Sequence, residues 1–345
     1  MTTARPRLHS IVVQKFGGSS LGSAAQRELA AVRVREALDC GNLPVVVVSA
    51  MGRLPQPYAT DSLLRLIPEA SAGPNRDLLL SCGEVIGASV FAQLLDSSGV
   101  PARALTGAQA GIITEERHGD ACIIDVQPQV ISAFLDQNVV PVVAGFQGVT
   151  PNGVVTTLGR GGSDLTAVAL AAALGNVKLE IFTDVDGVMT ADPRRVPDAR
   201  TIPALDFEEL TELAAHGAKV IHERAAELAR RSKASFAVRG LRSGLGTLIG
   251  ERPLPDAGHP VTGVATLLDY SFMHLSPEGA GMDGGWEQEV FRLLAGDGIS
   301  LDCININAAG VFFIVKDAEA EAARRRLEPL AVALRLRPQC AKISI

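Results

Sequence analysis

Along roughly the first 250 residues, short β-branched runs alternate with glycine-rich or polar turns and with longer segments rich in alanine and leucine. The runs at 11–15, 45–48, 102–105, 139–144, 154–158 and 179–183 are too short for helices, and they predict strands. Several are apolar almost throughout, as expected of strands covered on both faces. The pattern therefore predicts an α/β fold with a mainly parallel sheet sandwiched by helices. After the first strand, Ser23 is placed to cap a helix, with Gln26 reaching back in a capping box and Gly41 offering a stop. Residues 165–174 read as a short helix that follows a glycine loop and ends at Gly175.

Between about 239 and 262 glycine and proline become dense and neither periodicity persists, which marks a domain boundary. The reading is an N-terminal extension over 1–10, a catalytic domain over 11–250, a linker over 251–260 and a smaller domain over 261–345. In the smaller domain, segments at 261–267, 286–295, 299–306, 311–315 and 319–330, followed by a last strand, spell βαββαβ, a two-layer sandwich suited to sensing small molecules.

Composition narrows the function classes. The chain has 345 residues, 47% of them hydrophobic, enough for a large soluble enzyme of two domains. No apolar stretch in the sequence approaches the roughly 20 residues that cross a bilayer, and the first ten residues lack the apolar core of a signal peptide. The expectation is a cytoplasmic protein without a membrane partner. A formal net charge of -6 argues against nucleic acid. The five cysteines are scattered without metal or redox spacing, and they read as reduced thiols, mostly in the core.

Three segments carry candidate chemistry. Lys15-Phe16-Gly17-Gly18-Ser19-Ser20 follows a strand and precedes a helix; glycines admit a phosphate close to the backbone, and lysine adds a full charge. Ser23 stands where a Walker loop needs lysine, so this is no ordinary P-loop, and a plain turn explains it equally well when taken alone. Thr157-Leu158-Gly159-Arg160-Gly161-Gly162-Ser163-Asp164 again joins strand to helix. Arg160 suits a carboxylate clamp, whereas Ser163 or Asp164 is also explained as a helix cap. The third, Phe182 to Arg194, is acidic; Asp-Gly and Asp-Pro form turns, so its carboxylates suit a nucleotide rim, with Mg²⁺ held through phosphates, better than a protein metal cage. Two glycine loops with a lysine and an arginine supply the positioning and charge that phosphoryl transfer needs.

In order and spacing, KFGGSS, LLLSCGE, TGAQAG, VVAGFQG, TTLGRGGSD and IFTDVDGVMTADPR resemble the aspartokinases of the amino-acid kinase superfamily. The resemblance implies an amino-acid kinase fold with an ACT-like regulatory domain. It also implies ATP-dependent phosphorylation of the L-aspartate side chain to 4-phospho-L-aspartate, the first step towards lysine or diaminopimelate, threonine and methionine. Lys15 and Asp164 would be catalytic. Lys15, Phe16, Gly17, Gly18 and Ser19 would hold ATP with Thr183, Asp184, Met189, Thr190, Ala191, Asp192, Pro193, Arg194 and Lys219. Thr60, Glu84, Arg160, Gly162 and Ser163 would hold aspartate, Glu84 through its ammonium group. No protein metal site is implied; ATP and Mg²⁺ are the cofactors. A homodimer or larger assembly is expected. The resemblance departs at the effector loop, where many members have Asp-Lys-Pro-Gly and this chain has Met282-Asp283-Gly284-Gly285. The last six residues resemble the opening strand of a second ACT unit, where the chain stops, so either regulation is altered or the chain is truncated; an amino-acid effector is a candidate partner, with a weak or absent response expected. Kinases of the same superfamily acting on glutamate, N-acetylglutamate, carbamate or a nucleotide are the nearest rivals. A sensor with a vestigial site and a nicotinamide dehydrogenase are more distant, the latter lacking its dinucleotide fingerprint.

Overall fold

Most of the β-branched runs gather into one sheet because they are apolar on both faces and need cover on each side. In a computed structural model describing residues 10–67, 72–216, 221–251, 261–276, 285–330 and 333–345, the chain divides between Gly263 and Val264 into two units. The first is built on an eight-stranded sheet. Its order is Ala204–Asp206, Gly246–Gly250, Phe236–Gly240, Lys178–Thr183, Ser10–Phe16, Asn42–Val48, Val140–Ala144 and Ala102–Leu105. Neighbours pair in parallel except for the hairpin of Phe236–Gly240 with Gly246–Gly250.

Alternation along the strands sorts side chains between two cores. On one face Val13, Val45, Val47, Val143, Leu179 and Ile181 pack with the helices Gly162–Ala173 and Glu223–Ser232. On the other, Phe16, Val46, Val48, Val142 and Phe182 pack with Ala24–Asp39 and Pro74–Ser97. Helix Pro74–Ser97 is long and apolar enough to cross a membrane, but half of its most apolar stretch is buried in the fold. Asp77 and Glu84 are among its buried residues.

Several local expectations shift. Residues 155–157 form a strand, yet they leave the main sheet and pair antiparallel with Gln147–Val149 in a separate four-stranded sheet. A run this short satisfies its hydrogen bonds in either sheet. The helix after the second glycine loop starts at Gly162, three residues earlier than the pattern suggested, and so takes Ser163 and Asp164 into its first turn. A further four-residue helix, Gly18–Leu21, occupies the turn before Ala24–Asp39. Ser23 accepts from the Gln26 backbone N–H at 3.3 Å, but the Gln26 side chain meets the Ser23 hydroxyl instead of completing the box. Cys40, Cys82, Cys122 and Cys303 are exposed and Cys340 is half-buried, so the thiols are not core residues. They occupy a helix end, an outward helix face, a loop and strand positions that face solvent.

The second unit carries a four-stranded antiparallel sheet in the order Asp302–Asn307, Gly310–Lys316, Ala265–Ser276 and Ala333–Ser344. Trp286–Gly296 and Asp317–Leu327 supply Val290, Leu294 and Ala323 to its core beside Met273, Leu275 and Phe313. The element order is βαββαβ. The first strand begins at Ala265 and runs to Ser276, later and longer than 261–267. Residues 340–344 continue the last strand, with Ser344 opposite Ala265 beyond an irregularity in register. Met282, Asp283 and Gly284 lie outside the described residues, as does Lys219.

Candidate active site

Parallel strands place all their carboxyl ends on one edge, and the ends of Ser10–Phe16, Asn42–Val48 and Lys178–Thr183 open there onto a cleft of about 280 Å³. Lys15, Gly17, Gly18, Ser19, Thr60, Thr183 and Asp184 line it, so seven residues singled out in the sequence from three separate segments meet. Strand alternation puts Phe16 on the opposite face, where it stacks on Phe182 with ring centroids 5.0 Å apart. Its side chain belongs to the core, and Phe16 is not among the residues lining the cleft.

Lys15 points towards helix Gly162–Ala173, and its Nζ lies 2.6 Å from Asp164 Oδ1. Both residues are buried, each 9% exposed. The second glycine loop makes this possible. Gly161 sits at φ +72°, and a Cβ there would come within 2.2 Å of His222 Cβ, so only glycine turns the chain into the helix at this point. Gly18 serves close approach: a Cβ would lie 2.6 Å from the Ala50 carbonyl oxygen. The Gly52 N–H donates to the Gly18 carbonyl at 2.9 Å and fastens the two loops to each other.

Glu84, on helix Pro74–Ser97 and 2% exposed, does not line the cleft but reaches the backbone of Ala50, which does. Its Oε1 accepts from the Ala50 N–H at 3.0 Å, while Oε2 is buried without a hydrogen-bond partner among the described residues. Burial pushes its carboxyl up to about 8, against the lowering effect of the Ala50 hydrogen bond.

The remaining candidates divide. Gly162 and Ser163 are held in the first turn beside Asp164, with Ser163 packed against Gly145. Arg160 is exposed at the tip of its loop and is not among the residues lining the cleft. Met189, Thr190, Ala191, Asp192, Pro193 and Arg194 form a loop beyond Asp184. It is pinned by the Thr190 N–H donating to the Arg200 carbonyl at 2.8 Å and by Arg194 Nη2 on Asp192 at 2.8 Å. They too lie outside the cleft lining.

The sequence reading missed Asp77. This carboxylate has no exposed surface and accepts from Thr157 N at 3.0 Å, Thr157 Oγ1 at 2.8 Å and Gly119 N at 3.0 Å, with His118 Nδ1 at 3.0 Å. From the other side Arg224 Nη1 donates to the Leu158 carbonyl at 2.7 Å and pairs with Asp120. These bonds fix the root of the Gly159–Arg160–Gly161 turn. Nothing local marks Asp77, since an acid in the first turn of a helix is ordinary. Asp77→Ala is expected to lower the melting temperature sharply in thermal unfolding, because each buried donor left unpaired costs about 1–3 kcal/mol. Asp77→Asn, which keeps one acceptor oxygen, should recover part of the loss; an unchanged melting temperature in the alanine variant would refute the network.

Comparison with known proteins shows what the chain is similar to. Residues 10–239 match the amino acid kinase family. Over 343 residues the chain is 43% identical to aspartokinase 1 of Bacillus subtilis, covering 97% of this chain and 84% of that one. Among solved structures, E. coli aspartokinase III in complex with aspartate and ADP (R-state) superposes with a TM-score of 0.72 at 25% identity, covering 96% of this chain and 86% of that one. The same enzyme in complex with lysine and aspartate (T-state) superposes with a TM-score of 0.76 at 25% identity, with the same coverage.

Proposed function

The chain belongs to the amino acid kinase family and within it to the aspartokinases, and from that premise we infer how its cleft carries the reaction. It transfers the γ-phosphoryl group of ATP to the side-chain carboxylate of L-aspartate. A carboxylate oxygen forms a bond to the γ-phosphorus, the bond from that phosphorus to the β,γ-bridging oxygen breaks, and the electron pair leaves on ADP. No proton needs to move, because the acceptor is already ionised near neutral pH. Catalysis then reduces to alignment and charge compensation.

The observation that carries this assignment of roles is the buried Lys15–Asp164 pair at the meeting point of two glycine loops. Lys15 would stabilise the transferring phosphoryl group, and Asp164 would hold the lysine in place. Gly17, Gly18 and Ser19 would approach the phosphates, and Thr183, Asp184 and the loop 189–194 would receive the nucleotide, with Lys219. Mg²⁺ would arrive on the ATP phosphates and neutralise part of their charge. Asp184, which accepts from Thr183 Oγ1 at 3.0 Å, is the carboxylate among the described residues lining the cleft and would fit Mg²⁺ as an oxygen donor. Thr60 and Glu84 would hold aspartate. Arg160, with Gly162 and Ser163 at its base, would swing in to clamp a substrate carboxylate.

The unit 264–345 would receive an amino-acid effector, the chain would assemble as a homodimer or larger, and it would work in the cytoplasm. Incubation with ATP, Mg²⁺ and L-aspartate in hydroxylamine is expected to release ADP and trap aspartyl hydroxamate. Product with glutamate and none with aspartate would overturn the acceptor.

A further inference from the structure

The charges lining the cleft do not match the charges of its substrates. Lys15 is ion-paired with Asp164, and Asp184 adds a negative charge, so the net charge at the site is not positive. Into this space come a triphosphate and a carboxylate, and their like charges must converge for transfer to occur. Among the described residues lining the cleft, Arg53 is the cation with neither an ion-pair partner nor a side-chain hydrogen bond. Its main chain is nonetheless anchored. The preceding Gly52 N–H donates to the Gly18 carbonyl at 2.9 Å, the Arg53 carbonyl accepts from Gln56 N at 2.9 Å, and Gln56 Nε2 donates to the Gly22 carbonyl at 3.3 Å. The loop bearing Arg53 is thus stitched at two points to the loop bearing Gly17–Ser19, while the exposed guanidinium is left free to turn.

We propose that Arg53 compensates the negative charge where the reactants meet, donating to anionic oxygens of the γ-phosphoryl group or of the acceptor carboxylate as the new P–O bond forms. Its planar fork suits both kinds of oxygen. Arg160 lies outside the cleft lining, so Arg53 is the guanidinium already at the site before any loop moves. The inference rests on the aspartokinase reading of the same cleft.

The test uses the full chain and the variants Arg53→Ala, Arg53→Gln and Arg53→Lys, with kcat and both KM values measured by ADP release and hydroxamate formation. Removing one charge-stabilising donor typically costs about 10²–10³ in rate; for this solvent-accessible group we expect kcat/KM to fall roughly 10- to 100-fold in the alanine and glutamine variants. The lysine variant should recover part of the loss, and melting temperatures should not change, since the side chain bonds to nothing among the described residues. A loss confined to kcat assigns the contact to the phosphoryl group, and a raised KM for aspartate assigns it to the carboxylate; both support the role. Wild-type turnover of aspartate with all three variants within twofold of it overturns the role while leaving the reaction intact. Wild-type turnover of another acceptor, still impaired by Arg53→Ala, overturns the acceptor and supports the role.

Discussion

Lys15→Ala is expected to abolish aspartyl phosphate formation, with kcat falling by about 10²–10³ or more, the range seen when one charge-stabilising group is taken from a site that excludes water. The reasoning is electrostatic. Lys15 is 9% exposed, so its charge acts in a medium far less screening than bulk water. Asp164, 2.6 Å away, fixes where that charge sits before substrate arrives. The substitution also strands a buried carboxylate, and breaking such a pair from one side costs roughly 3–5 kcal/mol. Loss of activity by unfolding must therefore be separated from loss of chemistry. The paired variant Lys15→Met with Asp164→Leu removes both charges and should melt near the wild-type temperature while remaining inactive. Near-normal kcat in a folded Lys15→Ala protein would take Lys15 out of the mechanism.

The second large effect concerns Glu84 and is expected to appear as a pH dependence of the KM for aspartate. Burial holds this carboxyl largely protonated at neutral pH, since its midpoint is pushed up to about 8. Binding an ammonium group requires the carboxylate, so each binding event below that midpoint must release a proton. The KM for aspartate should fall by up to about tenfold per pH unit as pH rises towards the midpoint, and then level off. Glu84→Gln keeps an oxygen to accept from the Ala50 N–H but never ionises. Its KM should be raised roughly 10- to 100-fold, the equivalent of one charged hydrogen bond, and should lose the pH slope.

Stability supplies an independent check. The folded-state value lies above the ordinary 4.5, so the neutral form stabilises the fold fully below pH 4.5, and that contribution is lost as pH rises through about 8. In Glu84→Gln this slope should vanish. A wild-type KM profile flat across this range would show that Glu84 does not meet the substrate ammonium.

Legibility in the sequence depended on how local the cause was. The strands at 11–15 and 179–183 were readable because an uninterrupted β-branched run needs no partner to declare itself buried. The glycine loops were readable because turns at φ near +72°, as at Gly161, admit few other residues. The 155–157 strand was readable as a strand but not as a member of the small sheet, because pairing is decided by which neighbours arrive. Cysteine burial was misread for the same reason: a small apolar side chain goes wherever its element's faces fall.

By itself, then, the sequence determined the α/β architecture, the two glycine loops, the acidic segment 182–194 and the resemblance that led to aspartate as acceptor. These follow from steric and hydrophobic rules acting over a few residues, or from motif order along the chain. Only the tertiary structure decided that Lys15 and Asp164 are ion-paired. The same holds for the burial that raises the pKa of Glu84, for Asp77 as the anchor of the Arg160 loop, and for Arg53 at the cleft that Arg160 does not line. The physical reason is common to all four. A charge's partners, solvation and reach are set by groups distant in sequence and adjacent in space, and no local pattern records them.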